Sequence, residues 1–477
     1  MPEMGVIMKR LLLSIVLLLS VAQGLFAADV ATFCAGAAAV DITPPVGYRL
    51  RGYFDERIST GVHDPIYFKA LALRQGDRTA VLLFSDTCSI PTSSTDPIRD
   101  AIAEETGIDR EAIIICATHS HTGPLFCGPI RKHLHARAMA QNNGVDPCES
   151  IDYEKFFVER GIEAIRSALA DLRPVVLDEG QKDLLGVSFN RRFIMKDGSV
   201  RFNPGFDNPD KVRPAAGIDP KFTFFLFRDA ETETPFTSFT NFALHPDTTE
   251  GTLISQDYPG YLSSVLQARF GSGFVSVFGN GTAGDINHFD FAGGAEPRHA
   301  SEIGTILGLN ALEMTNHHGL DRITPNLAFH GEILEWPKQA FTDKDSENAE
   351  SMMDLAVAPE GKGLPFLDRA RAEKIVNCSS FPNILPLDIQ AIRISDDLAI
   401  VSLPGEIFVD LGNAIRENSP FKQTIVLELA QGDYLYVPTL KAFEEGSYET
   451  IDSVLAPGGG EAVVEKALEV LKKLKEM

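Results

Sequence analysis

The 477-residue chain carries 43 basic and 66 acidic residues, a formal charge of −23, with 44% of its residues hydrophobic. That balance gives a globular chain with a sizeable core, and its acidity disfavours nucleic acid and anionic membrane as partners. Six cysteines without any C-x-x-C leave cysteine-zinc and thioredoxin-like chemistry without a motif.

At the N-terminus, Lys9 and Arg10 precede the apolar run Leu11 to Val21, and small residues follow at Ala27 and Ala28. The run is too short to span a bilayer comfortably, so residues 1–27 read as an export signal, with an uncleaved anchor as the alternative. Residues 28–477 are then expected as a single domain, secreted or periplasmic, and no later segment resembles a membrane span. Export permits disulfides, and Cys127 and Cys148 bracket a polar loop.

Short apolar runs then alternate with amphipathic stretches. "TAVLLFSD" (79–86) predicts a buried strand, and "STDPIRDAIAEETG" (94–107) a helix with Pro near its start and Gly after its end. "EAIIICATHSH" predicts the next strand and 153–172 the next helix. "FTFFLFRD", "PFTSFTNFALHP", "FVSVFGNGT", "LAIVSLPGE" and "TIVLELAQGDYLYVP" follow as strands running into turns, with helices over 258–271 and 407–418. The alternation predicts an α/β fold with a mixed, largely buried sheet and flanking helices. Residues 342–363 are polar and read as a surface excursion or lid, and the chain closes on an amphipathic helix.

Chemistry-bearing side chains gather just after the strands: Asp86, His119 and His121, His245, Asp285, Glu406 and Tyr436. In open α/β sheets, ligands collect beyond the carboxyl ends of strands. "GNGTAG" (279–284) fits G-x-G-x-x-G, but no helical pattern follows it, so dinucleotide binding is rejected. No G-K-[ST] and no G-x-S-x-G occurs, which disfavours a triphosphate loop and an ordinary serine esterase. Taken singly, His245 reads equally as a capped loop residue, Glu406 as an acid favoured by a helix N-terminus, and Tyr436 as a core tyrosine. Together with His119 they compose a two-imidazole, one-carboxylate metal site of the kind zinc accepts.

Over most of its length from Ala35, the sequence resembles the neutral/alkaline non-lysosomal ceramidases. "ATHSHTGP", "FALHP", "PGE" and "YVPTLKAFEEGSYE" resemble that family's metal-ligand segments in order, and "FNRR" its N-R segment. The resemblance implies a ceramidase N-terminal-domain-like fold and zinc held by His119, His245, Glu406 and Tyr436. It places His121 in the same pocket and Arg191 at the substrate. The family's catalytic serine is replaced here by Asn287 in "GDINHF", and its C-terminal immunoglobulin-like domain is not expected, the sequence closing on a helix at Met477. The expected function is a secreted zinc amidohydrolase acting on an N-acyl bond, of a small molecule or a ceramide-like lipid, by zinc-activated water. In that reading His121 shuttles a proton or holds the developing oxyanion, Asn287 donates to the oxyanion and Asp285 orients loop groups or a ligand. Thr282 is the alternative acyl acceptor. The rival readings are a metal-containing protein that binds a ligand without turnover, and a zinc hydrolase of an ester or sugar-type substrate.

Overall fold

The computed structural model describes residues 31–359 and 361–477, so the expected export signal lies outside the described residues. A nine-stranded mixed sheet dominates the fold. Its middle strands are antiparallel, and each end closes with a parallel pair: Pro235–Phe242 with Val275–Asn280, and Arg78–Ser85 with Ile113–Ala117. A second, four-stranded sheet runs Ala328–Pro337, Ile384–Ser395, Leu398–Ser402, Gln423–Leu427, its last two strands also parallel. The mixed sheet with flanking helices agrees with the sequence reading; its division into two sheets does not follow from it.

Side-chain alternation shows how the layers stack. In Lys221–Asp229, Phe225 and Phe227 join an inner cluster with Ile400 and Leu427 of the second sheet. Their neighbours Phe222, Phe224 and Leu226 point the other way, into a cluster with Leu262 and Ile303 of helices Tyr258–Phe270 and Ala300–Asn316. The second sheet divides likewise: Leu398 and Ile400 face the first sheet, while Ala399 and Val401 pack with Val463 and Ala467 of the terminal helix Gly459–Glu476. Strands buried on both faces read as continuous apolar runs rather than alternating ones, which is why "FTFFLFRD" is apolar throughout. The result is four layers, with helices outside and two sheets between.

The sheets are stitched at one corner. Ala430 bridges Cys116 on the edge strand, Ala117 N donates to Leu429 O (3.2 Å), and Gln431 N donates to Ile115 O (3.0 Å). Behind this seam the buried Glu428 carboxylate accepts from Ala283 N (3.1 Å), Ile407 N (2.8 Å) and Asn280 Nδ2 (3.1 Å).

Residues 342–363 form more structure than their polarity suggested. Helix Asp343–Ala356 starts on a reciprocal cap between Thr342 and Asp345, and Met353 and Ala356 are buried with Leu125, Leu134 and Ala372. The helix Phe366–Ser380, which the sequence reading did not single out, pairs with it. All six cysteines, Cys127 and Cys148 included, are free thiols. No helix among the described residues is long and apolar enough to cross a membrane.

Replacing Glu428 by Gln turns one acceptor oxygen into a donor facing buried N–H groups. An unsatisfied buried donor costs about 1–3 kcal/mol, so Glu428→Gln should lower the denaturant midpoint by that equivalent. An unchanged midpoint would remove the carboxylate's holding role.

Candidate metal and active site

The parallel strand pairs of both sheets deliver their carboxyl ends to one region. His119 follows Ile113–Ala117, His245 follows Pro235–Phe242, Glu406 follows Leu398–Ser402, and Tyr436 lies beyond Gln423–Leu427. A two-residue parallel pairing sets Glu406 in register with Tyr436 and Ile407 with Val437. Backbone conformation aims the groups. His119 sits at φ 76, a left-handed conformation uncommon for a residue with a Cβ. Such strain concentrates at functional sites; here His119 N donating to Thr87 O (3.0 Å) helps to hold it. Gly405, at φ 85, precedes Glu406, and a Cβ there would stand 2.7 Å from Leu435 O. Gly52 leaves room for His121, whose ring a Cβ would meet at 2.6 Å.

Three donor atoms converge. His119 Nε2 lies 2.9 Å from His245 Nε2 and 3.4 Å from Glu406 Oε2, and His245 Nε2 lies 3.7 Å from that oxygen. The tautomers follow from the opposite ring atoms. His119 Nδ1 faces Cys88 O at 2.6 Å and His245 Nδ1 faces Ala283 O at 3.3 Å, so each Nδ1 carries the proton. Both Nε2 atoms then present lone pairs to each other and to a carboxylate oxygen that is buried without a hydrogen-bond partner. Such an arrangement is repulsive unless a cation occupies its centre, so the donors fit a metal ion. The contrast is His135, Asp146 and Glu149, equally close together, whose acids are already ion-paired with Arg49 and Arg131.

Burial alone would depress His119, but the neighbouring Cys88 and Glu406 outweigh it and hold it well above the usual imidazole value, so the centre attracts positive charge, which a proton on His119 Nε2 or a metal ion in its place can supply. Burial and the His119 charge push His121 and His245 well below theirs, so both rings are neutral. His121 Nε2 lies 3.2 Å from His119 Nε2, and its Nδ1 lies 3.5 Å from Asp247 Oδ1. Tyr436 is buried beneath Arg191, whose guanidinium stands 5.4 Å from its ring centre. Arg191 itself lines the cavity while bonding Glu449 Oε1 (3.0 Å) and Gly284 O (2.8 Å).

The cavity beside these groups holds about 130 Å³. His119, His121, His245, Glu406, Tyr436 and Arg191 all line it; Asp285 and Asn287 do not. Asp285 is wholly buried, accepting from Val409 N (2.8 Å) and Asn190 Nδ2 (2.7 Å), and burial raises it to about 6. It therefore braces the loop. Asn287 donates to Asn203 Oδ1 (2.8 Å) and accepts from Phe289 N (3.0 Å), so its amide is engaged away from the cavity. Thr282 is packed against Gly412, outside the lining. The sequence reading missed Arg51, Glu373, Tyr448 and Asp452, which also line the cavity. Tyr448 lay inside the quoted "GSYE" and could have been found there; the others carry no local motif.

Fold and site together define a mixed α/β protein with a candidate metal centre of two imidazoles and a carboxylate at its strand ends. Residues 33–289, more than half the chain, match the family described as neutral/alkaline non-lysosomal ceramidase, N-terminal, and the chain belongs to that family. Its fold is similar to that of a neutral ceramidase from Pseudomonas aeruginosa, at a TM-score of 0.70 and 19% identity over 94% of this chain and 75% of that one. A ceramidase structure described as complexed with C2 is similar at 0.69 and 19%, over 94% and 76%. No curated protein matches the sequence.

Purified protein is expected to carry about one divalent metal ion per chain. The His119→Ala, Glu406→Ala double variant should lose it, while replacing the exposed His317 and His318 by Ala should not. Stoichiometric metal retained by the double variant, measured by plasma mass spectrometry, would overturn the assignment.

Proposed function

We propose that the protein is an exported, zinc-dependent amidohydrolase that cleaves an N-acyl bond. The observation that carries this is the convergence of two imidazole lone pairs and a partnerless carboxylate oxygen beside a cavity. His119, His245 and Glu406 would hold zinc, with Tyr436 as a fourth donor from the strand paired to Glu406. Bound there, zinc supplies a Lewis acid that polarises a carbonyl and lets water attack near neutral pH.

The chain's own groups handle the protons. His121, neutral at the cavity wall, accepts the proton of the attacking water at Nε2, and Asp247 opposite Nδ1 stabilises the resulting imidazolium. The same Nε2 then returns the proton to the leaving amine nitrogen as the C–N bond breaks. Among the described residues no serine or threonine lines the cavity, and its one thiol, Cys88, lies by His119 Nδ1 (3.7 Å) rather than by the Nε2 that faces the other donors, which favours water over an acyl-enzyme as the acceptor. Arg191, held by Glu449 and Gly284, forms a fixed cationic wall over Tyr436. Membership of the ceramidase family supports a lipid amide among the substrates to be tried first.

Free amine released from short- and long-chain N-acyl amines tests the reading. Release should be abolished by a chelator and restored by zinc; release from none of them would refute an amidase. Asn287→Ala, with its amide turned from the cavity, should cost much less than the roughly 10²–10³-fold loss expected of an oxyanion donor. A loss of that size would return Asn287 to the reacting groups.

A further inference from the structure

Beyond the metal donors, the cavity is lined by more carboxyl groups than cationic ones. Its two arginines are each matched by a carboxylate that does not line it: Arg51 Nη2 to Asp433 Oδ2 at 2.8 Å, and Arg191 Nε to Glu449 Oε1 at 3.0 Å. Glu373 and Asp452 line the same cavity, and among the described residues neither makes an ion pair; burial holds both carboxyls above their usual values although the Arg51 charge reaches them. Asp452 is 5% exposed; its Oδ2 accepts from Tyr448 OH (3.3 Å), while its Oδ1 is buried without any hydrogen-bond partner. Burying carboxyl groups this way is unfavourable unless something supplies the missing donor or charge.

The adjoining wall is aromatic. Tyr448 lies 4.9 Å from Phe366 and 6.1 Å from Phe54, ring centre to ring centre, and all three rings line the cavity. Aromatic faces beside carboxyl oxygens are the surroundings that favour an organic cation, which gains from ring quadrupoles and from charged hydrogen bonds together. A neutral hydroxyl gains only the second, and more weakly. The cavity's volume, about 130 Å³, is below the usual range for drug-sized ligands and suits a compact group.

We propose that Asp452 and Glu373, walled by Phe54, Phe366 and Tyr448, form a subsite for a protonated amine carried by the substrate. This rests on the amidohydrolase reading only for the bond that is cut; the subsite binds the amine whether or not cleavage follows. The preferred substrate is then an N-acylated compound bearing a second, free amino group, rather than a neutral head group.

A matched pair of probes separates the two. N-acetyl-1,3-diaminopropane ends in an ammonium, and N-acetyl-3-aminopropanol replaces it by a hydroxyl of similar size. Calorimetric titration into the metal-loaded protein should show the ammonium probe binding at least about tenfold tighter, a difference equivalent to ~1.4 kcal/mol. Asp452→Asn and Glu373→Gln should each erase most of that preference, with thermal melts confirming that the variants fold. Equal binding of the two probes by the unaltered protein would overturn the subsite without need of any variant, as would a preference that survives both substitutions. Tight ammonium binding with none of the N-acyl amines cleaved, read as released carboxylic acid, would refute the amidohydrolase reading and leave the subsite standing.

Discussion

One buried carboxylate holds the two halves of the candidate metal centre in relation. Glu428 emerges from the last parallel strand of the second sheet and accepts hydrogen bonds from Ala283 N and Ile407 N. Ala283 O is the partner of His245 Nδ1, and Ile407 is the residue after Glu406. A single side chain therefore fixes, one or two bonds away, both the tautomer of an imidazole from the first sheet and the backbone of the carboxylate from the second. Asp285 repeats the device a few residues on, joining Asn190 to the start of helix Val409–Asn418. In a cavity where repulsive lone pairs face one another, the first requirement is a frame that does not relax. Carboxylates accepting buried N–H groups supply it, because a freed N–H would be left without a partner.

That frame holds the donors together at one point. His119 and His245 offer lone pairs to the same point, and their own proton-bearing nitrogens are committed to backbone carbonyls behind them. Orientation by an outer hydrogen bond is the usual way imidazole ligands are fixed. The left-handed backbone at His119 belongs to the same economy of constraint, since Thr87 and Cys88 hold that turn by backbone contacts from the neighbouring strand end.

How much of this was legible follows from how local each signal is. The strand-then-helix alternation, the buried strand runs and the placement of His119, His245, Glu406 and Tyr436 after strands were readable, because periodicity and turn residues are local properties. The four-layer stacking was not: Ala399 and Ile400 look alike in sequence, and only the structure divides them between faces. The pairing of helices Asp343–Ala356 and Phe366–Ser380 was hidden because much of their surface is polar, the buried contacts being as few as Ala349, Met353 and Ala356 on the first. Asp285 and Asn287 show the converse. Position beside a family motif brought both to notice, but their side chains turn into the protein, where backbone and amide partners use them. Arg51, Glu373 and Asp452 could not be seen at all, as nothing in their sequence neighbourhoods says that segments over 300 residues apart share a cavity.

The division of labour between elements bears on how such a site can change its preference. The candidate metal donors His119, His245 and Glu406 stand on turns at the ends of sheet strands, braced by Glu428. The rest of the cavity lining includes other pieces: Phe366 and Glu373 from one helix of the pair, Tyr448 and Asp452 from a short helix and its cap. Substitutions on that wall touch neither Glu428 nor the carbonyls that orient the imidazoles. The wall is nevertheless tied to the Tyr436 segment, since Tyr436 N donates to Asp452 O (3.4 Å) and the Tyr436 and Tyr448 rings lie 5.3 Å apart. Fold and cavity lining are thus separate levels of description: the sheets set where the candidate donors stand, while the helices and the short C-terminal turn set the chemistry of the wall beside them.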